Sequence, residues 1–374
     1  MNHHKDTQGY HMAISRSTCP GEQVMEDRFS LHSSPLTASF LSSPAEILGM
    51  TPFIESLTAE PGMLAAHFFL ASMVSEPCKP CVVAVSQGKR IAGLVYCQER
   101  KIAGVPTGVI LADATLDTMV AARPEEATSV VRCALEALLR RKIALRWRIP
   151  SEWVPLLQSE CARARVDAHF RPADHHAYLK LPRSYEEFLG GVGRSTRHNL
   201  SRYRQRSEMA GNQFCADQDF AEFCAAAERL LLTAAYAMPK PRLQRSLAMI
   251  EAMPSQLLVG LRRNSGEWIS LAGLWCTGDR ALMALQLNDR SSARESVSLV
   301  LRSYLIEELI RRGIRELVFL DGVSEPLSFY TEKRKEFVAY IDSRSLPWVL
   351  VRRGCAALAK LAPQTFTNWR EWQT

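Results

Sequence analysis

The order of apolar and polar positions between residues 78 and 150 returns, weakly in identity but in the same sequence of segments, between residues 255 and 322. In the first stretch Cys81 to Ser86 reads as a strand, turns through Gln87-Gly88-Lys89, and continues as Ile91-Ala92-Gly93-Leu94-Val95-Tyr96. In the second, Leu257 to Leu261 turns through Asn264-Ser265-Gly266 into Ile269 to Cys276, which carries Leu271-Ala272-Gly273-Leu274-Trp275. The two Ala-Gly-Leu strings fall at equivalent places. A third strand follows in each stretch, about Gly104 to Leu111 and Ala281 to Leu287, and then an amphipathic helix.

Pro124 suits the first turn of the earlier helix, whose Val130, Val131, Ala134, Leu135, Leu138 and Leu139 share one face. The later helix has Ser296 or Ser298 as cap candidate, Leu301, Leu305 and Leu309 at four-residue spacing, and Gly313 as its stop. Basic pairs at Arg140-Arg141 and Arg311-Arg312 suit the negative ends of the two helix dipoles. Each helix feeds a return strand, Ile143 to Ile149 or Ile314 to Leu320. The prediction is an α+β fold in which a mostly antiparallel sheet flanked by helices is used twice.

Between the copies the pattern is helical. Ser184-Tyr185-Glu186-Glu187 reads as a capping box ended by Gly190-Gly191, Ser195 as the cap of a helix running to about Ala210, and Asp219 as the cap of one running to about Ala237. Pro241 starts a fourth. Residues 1–52 are rich in Ser, His, Thr and Pro and read as a flexible leader without a secretory layout. The expected division is therefore leader 1–52, first unit 53–182, helical bridge 183–254, second unit 255–345, and a basic apolar tail helix over 346–374 packed as a lid.

With 374 residues and 47% hydrophobic composition, the chain has the material for two cores, and its longest apolar runs are too short to cross a bilayer. Ten cysteines scattered through apolar patterns suit a reducing, cytoplasmic compartment. Cys78 and Cys81 form a lone C-x-x-C with no second ligand pair, so they read as structural and no metal is expected. His175 and His176 read as surface or packing residues. The net charge of +7 favours an anionic partner without distinguishing a CoA thioester from RNA.

The order of these segments resembles the GNAT acyltransferase superfamily, in particular its tandem branch with FemAB-like and CelD-like proteins. The pieces that carry the resemblance are Tyr178-Leu-Lys-Leu-Pro with Tyr185-Glu-Glu-Phe-Leu, then Arg197-His-Asn-Leu-Ser-Arg, and Leu305-Ile-Glu-Glu-Leu-Ile-Arg-Arg-Gly313 leading into Leu317-Val-Phe-Leu-Asp-Gly322. It spans roughly residues 55 to 345. It implies two GNAT-like (acyl-CoA N-acyltransferase) units and, as co-substrate, acetyl-CoA or another acyl-CoA. Where family members carry Gln/Arg-x-x-Gly-x-Gly/Ala, or Ser-Pro-Gly in the tandem branch, this chain has Ser296-Val297-Ser298.

A helix N-terminus presents unpaired N–H groups and a positive dipole end to phosphate oxygens. Here that terminus is Ser296-Val297-Ser298, with Arg290 and Arg294 before it to complete an anion cradle; the other reading is a solvated loop with a polar cap. The resemblance suggests that backbone N–H groups near Gln286 and Leu287 polarise the thioester carbonyl. Amine acylation also needs a base and an acid. Asp321 or Glu325 is the candidate base and Tyr330 the candidate acid; alternatively Asp321-Gly322 is only a turn and Tyr330 a packed aromatic. Arg197, His198 and Arg202 belong to an acid-free run that includes Arg194, Arg204 and Arg206. They either meet acidic residues of the second half or hold substrate phosphates.

The leading expectation is an N-acyltransferase that moves an acyl group from acyl-CoA, or from an acyl-carrier protein thioester, to a small-molecule amine. An aminoacyl-tRNA-dependent transferase is the alternative enzyme. A non-catalytic binding or assembly factor is the alternative outside enzymes. DNA is not an expected partner.

Overall fold

A computed structural model of the chain describes residues 35–55, 57, 65–113, 119–141, 143–173, 176–320, 322–323 and 325–343. β1 (Leu36–Leu41), α1 (Pro44–Leu48), α2 (Thr51–Glu55) and α3 (Ala65–Ser72) come first. The first unit continues with β2 (Cys78–Pro80), β3 (Val82–Gln87), β4 (Arg90–Val95), β5 (Cys97–Ile102), β6 (Val105–Asp113), β7 (Val120–Ala122), α4 (Pro124–Arg140), β8 (Ala144–Pro150), α5 (Val154–Ala164) and β9 (Asp167–Pro172). Then come β10 (Ala177–Lys180), α6 (Tyr185–Gly191), α7 (Arg194–Met209), β11 (Gln213–Cys215), α8 (Phe220–Thr233) and α9 (Lys240–Glu251). The second unit has β12 (Gln256–Arg262), β13 (Trp268–Thr277), β14 (Arg280–Asn288), α10 (Val297–Arg311), β15 (Glu316–Phe319), β16 (Glu332–Lys333) and β17 (Glu336–Asp342).

Local chemistry explains most of these boundaries. Pro124 opens α4, and all six residues of its predicted apolar face are buried. The Ser184 hydroxyl accepts from the Glu187 amide at 3.1 Å, and Glu187 reaches back to the Arg183 amide. Asp219 caps α8 by accepting from the Glu222 amide at 3.0 Å, and α8 ends at Thr233, one turn short of the expected Ala237. α7 starts at Arg194 with Gly193 as its cap position, so Ser195 lies inside the helix and does not cap it.

The doubled unit is present. In the first copy β3 pairs antiparallel with β4, and β6 pairs parallel with β8 across α4. In the second, β12, β13 and β14 are antiparallel neighbours, and β14 pairs parallel with β15 across α10. The Ala-Gly-Leu strings do lie on the second strand of each hairpin, but their glycines face different helices. A side chain at Gly93 would strike Val130 of α4, whereas one at Gly273 would strike Ile250 of α9. Both hairpins contain a β-bulge, one between β3 and β4 and one between β12 and β13.

Two strands fall across the expected boundaries. The first unit's strands form two sheets, ordered β1-β3-β4-β7 and β2-β5-β6-β8-β17-β9; β17, late in the chain, inserts between β8 and β9 of the latter, and β10 inserts between β15 and β16 of the second unit's single sheet. Each unit thus completes its sheet with a strand from outside its own span. The leader also ends earlier than expected: β1 pairs with β3 over six residues, and Ser43 and Glu46 form a reciprocal capping box on α1. The expected tail helix and residues 1–34 lie outside the described residues.

Three apolar clusters follow. One fills the side of the first sheet under α4 and α5, and one the side of the second sheet under α6, α7 and α10. The third is shared: α3 of the first unit and α8 and α9 of the bridge pack together over the far face of β13 and β14, with Phe68 and Trp275 ring centroids 5.1 Å apart. No helix among the described residues is long and apolar enough to cross a membrane.

Glu336 begins β17 where the two sheets meet, and it is 2% exposed. Its carboxylate accepts from Arg148 Nε at 3.0 Å and Nη2 at 2.6 Å on β8 and from the Tyr178 hydroxyl at 3.1 Å on β10, with His176 Nδ1 at 3.4 Å. Burial opposes ionisation of Glu336, but His176 and Arg148 outweigh it and hold the carboxyl below its usual value. Since the folded-state value is depressed, this stability is present above pH 4.5 and is lost as pH falls through the folded value. Glu336→Gln is therefore expected to destabilise the protein by about 3 kcal/mol at pH 7, because the buried carboxylate charge that accepts from Arg148 and Tyr178 is lost. Urea titrations of both proteins should show that gap narrowing in acid.

Candidate functional site

β14 and β15 run side by side from Arg280 opposite Glu316 to Met283 opposite Phe319, and beyond that β14 is paired only with β13 as far as Asn288. A bulge against β13 leaves Ala284 as the extra residue at that point. The strands therefore open into a V, and the N-terminus of α10 lies at the end where they open. The connecting loop is held at both sides. Ala235 donates to the Asn288 carbonyl at 2.8 Å and Arg290 to the Thr233 carbonyl at 2.9 Å. Within the loop, Asp289 accepts from the Ser292 amide and hydroxyl and from the Ser291 hydroxyl. Burial raises the Asp289 carboxyl, but these donors together hold it below the usual range.

Ser296 precedes α10 in the left-handed region, with φ +54 and ψ +36, and its side chain makes no capping hydrogen bond. This corrects the expectation of a hydroxyl cap. The residue contributes its carbonyl instead, which accepts from the Leu299 and Val300 amides at 2.9 and 3.1 Å. The Val297 and Ser298 amides are left without an acceptor among the described residues. Arg290 and Arg294 are exposed beside them and meet no carboxylate among the described residues.

Below this turn the narrow part of the V is closed by side chains. Gln286 Nε2 donates to Ser298 Oγ at 3.0 Å, and Gln286 Oε1 accepts from Arg302 Nε at 2.8 Å. The Arg302 guanidinium lies 5.4 Å from the Phe319 ring centroid, so it spans from β14 to β15, and burial pushes it down to about 10. Asn288, next along β14 on the same side, accepts from Ser270 Oγ at 2.6 Å. Leu287 turns its side chain into the shared core on the other face. The sequence reading singled out the backbone at Gln286 and did not find Arg302. The signal was there in part, since Ser298 and Arg302 are four apart and share a helix face.

Asp321 lies outside the described residues. Glu325 is exposed, and the following turn is anchored by buried Leu327. Tyr330 ends that turn. Its oxygen accepts from the Gly193 amide at 2.9 Å and its hydroxyl donates to Thr196 Oγ1 at 3.1 Å, so it sits on the first turn of α7. The Thr196 contact first, and then the Gly193 amide, lower the phenol below its usual value. Tyr330 is thus fixed through its hydroxyl and is not simply packed as an apolar ring.

α7 turns Thr196, Leu200, Tyr203 and Ser207 toward α10 and keeps its basic residues outside. Arg204 alone finds acids: it is 2.5 Å from Glu307 and 3.4 Å from Glu208 and lies 3.8 Å from the Tyr304 ring centroid. Arg194, Arg197, Arg202 and Arg206 meet no carboxylate among the described residues. An open cavity of about 870 Å³ is lined by Arg194, Ser195, Arg197, His198 and Ser201.

The equivalent place in the first unit has the opposite charge. α4 carries Glu125 and Glu126 in its first turn, and Glu126 is paired with Arg90 at 2.5 Å. Carboxylates at a helix N-terminus satisfy its dipole and repel an anion. Of these two helices, α10 is the one without a carboxylate in its first turn.

A hairpin, a further strand, a crossing helix and a parallel return strand recur in both units. Residues 194–327 match the family described as Acetyltransferase (GNAT) domain. No curated protein matches the chain. Among solved structures, L-PGS from Bacillus licheniformis aligns with a TM-score of 0.54 at 14% identity, covering 83% of this chain and 96% of that one. The C-terminal domain of an Agrobacterium fabrum protein described as a lysylphosphatidylglycerol synthetase gives 0.55 at 14% identity, with 84% and 97% covered. FemX gives 0.56 at 10% identity, with 80% and 96% covered. Residues 194–327 thus match a GNAT domain, and the chain as a whole shares the fold of these three structures.

The left-handed Ser296 is a strained position that glycine adopts freely. Ser296→Gly is expected to stabilise the protein by about 1 kcal/mol, seen as a higher melting temperature in calorimetry. A lower one would mean that the Ser296 side chain makes up for its backbone strain.

Proposed function

We propose that the protein is an N-acyltransferase that moves an acyl group from a phosphopantetheine thioester, as in acyl-CoA, to the amine of a small molecule. The observation that carries this reading is the pair of acceptor-free amides at Val297 and Ser298, beside Arg290 and Arg294, at the mouth of the V between β14 and β15. Two amides and two guanidinium groups match a pyrophosphate in charge and hydrogen-bonding sense. The arm of the donor would then run from that seat toward the V, where the Gln286 and Arg302 side chains meet its polar groups.

The chemistry asked of the chain is modest. The amine nitrogen attacks the thioester carbonyl, a C–N bond forms, and the C–S bond breaks. A carboxylate, with Glu325 or Asp321 as candidates, takes the proton from the attacking amine. The departing thiolate takes a proton from Tyr330, whose phenol is eased toward ionisation by Thr196 and Gly193. The developing oxyanion is met by backbone N–H groups near Gln286 and Leu287, which supply the kind of preorganised donor that lowers such barriers most.

A second reading, aminoacyl transfer from tRNA, is favoured by the unpaired arginines of α7 and by the likeness to FemX and to lysylphosphatidylglycerol synthetase folds. It predicts steeply salt-dependent tRNA binding. A binding factor without catalysis predicts neither ligand.

Acetyl-CoA at a hundredfold excess over its Kd should stabilise the protein by about 2.7 kcal/mol in thermal melts. Arg290→Glu with Arg294→Glu should weaken that binding at least tenfold. No shift with the wild-type protein would remove the thioester reading. With acetyl-CoA and hydroxylamine as a generic amine, the alkaline limb of kcat should fall below the usual tyrosine value of 10 and disappear in Tyr330→Phe. The sign follows from an acid that must be protonated, so activity is lost as pH rises through its pKa. An unchanged limb in the variant would take Tyr330 out of the chemistry.

A further inference from the structure

Along the outer side of α7, Arg194, His198, Arg202 and Arg206 follow one another at four-residue steps, which places them on a single stripe of the helix. At 1.5 Å per residue the stripe is about 18 Å long. Arg197 stands beside it, and no arginine among these meets a carboxylate among the described residues. Arg204, on the flank toward α10, is the contrast, because it is held by Glu307, Glu208 and the Tyr304 ring. Like charges four apart destabilise a helix on their own. The stripe is therefore an exposed basic face with no acid among the described residues to balance it.

Two further observations define what balances it. An exposed apolar side chain lies at one end of the stripe, and another lies one residue along the chain from a contact to the other end. Met209, the last residue of α7, is 76% exposed. At the other end Phe329, 70% exposed, adjoins the Tyr330 whose oxygen rests on the Gly193 amide. The stripe itself carries no phenyl, phenol or indole ring on which a nucleobase would stack. Arginine flanked by methionine and phenylalanine is instead the composition of a protein contact. Its complement is a negatively charged helix or ridge of similar length. The stripe also shares a rim with the donor seat, because the short turn Ala293–Glu295 before α10 packs against α7.

We propose that this stripe of α7 is the docking surface for a small acidic carrier protein that delivers the acyl group on a phosphopantetheine arm. The inference rests on the thioester reading given above and narrows it, since the preferred donor becomes carrier-bound and not free acyl-CoA. Electrostatic contact along the stripe speeds encounter and sets the orientation, while the apolar ends supply contact area. The arm then crosses the rim to the amides of Val297 and Ser298.

The test is the fluorescence anisotropy of a labelled acetyl-loaded holo acyl-carrier protein titrated with the full chain, with thermal melts in acetyl-CoA run in parallel. Binding that weakens with added salt, falls at least tenfold in Arg202→Glu/Arg206→Glu, and falls severalfold in Met209→Ala is the expected result. All three changes lie on the surface and leave the cores intact. The proposal is overturned if the carrier fails to bind, if the charge-reversed protein binds it equally well, or if unlabelled tRNA displaces it at lower concentration than unlabelled carrier does. Acetyl-CoA stabilisation that persists when the carrier fails to bind removes the docking surface alone; loss of both removes the thioester reading with it.

Discussion

The fold depends on an exchange of strands that is fixed by one buried carboxylate. β17 lies in the first sheet and β10 in the second, so neither unit closes its sheet from its own span. Both strands pass through the same junction, and there Glu336 on β17 holds Arg148 on β8 and Tyr178 on β10 at hydrogen-bond distance. An ionised carboxylate at 2% exposure is tolerable only when its partners are in place. The junction therefore favours the pairing in which both strands have crossed over. The relative position of the two sheets follows from it, and so does the shared core in which Phe68 of one unit meets Trp275 of the other.

Local signals in the sequence were sufficient for most elements, because these are set by neighbours along the chain. The face of α4 from Val130 to Leu139, the Asp219 and Ser184 caps, and the turns at Gly88 and Gly266 all follow from spacing and backbone preference. What spacing cannot encode is which sheet a short strand joins. Ala177–Lys180 and Glu336–Asp342 have the alternation of strands, and their positions suggested that each belonged to the nearer unit. Their partners are chosen by tertiary packing and by a carboxylate whose contacts to Tyr178, His176 and Arg148 each span at least 158 residues. The leader was misjudged for a related reason: the polar tract before it hid a six-residue strand whose pairing with β3 is non-local.

The candidate site was legible in its outline and not in its detail. The position of the helix terminus, the Arg290 and Arg294 pair, and the proximity of Tyr330 to the second unit follow from the order of segments. The attachment of Tyr330 to Gly193 and Thr196 does not, since it joins residues more than 130 apart. Nor does the Gln286–Arg302 contact, which forms only where β14 leaves β15. The difference between the copies is nonetheless written locally. Glu125 and Glu126 stand in the first turn of α4 where α10 has Val297, Ser298 and Leu299. Two helices of one topology thus differ in the charge carried by their first turns.

The absence of a glycine pattern before α10 is compatible with an anion seat once backbone conformation is separated from residue type. A Gly-rich turn serves such a seat by reaching positive φ and bringing amides close to a phosphate. Ser296 reaches the same region at φ +54, and the turn is held by Asp289 from within and by Thr233 and Ala235 from outside. Because its carbonyl takes the Leu299 and Val300 amides, the two amides before them point nowhere within the described chain. Strain at a residue that could be relieved by a single change to glycine is most easily understood where the serine hydroxyl or the exact path of the loop has a use. At this position the neighbouring groups are Ser298 on Gln286, Gln286 on Arg302, and two arginines without acids. Those groups have in common the ability to donate hydrogen bonds, and that shared capacity is what links the strained turn to the basic face of α7 beside it.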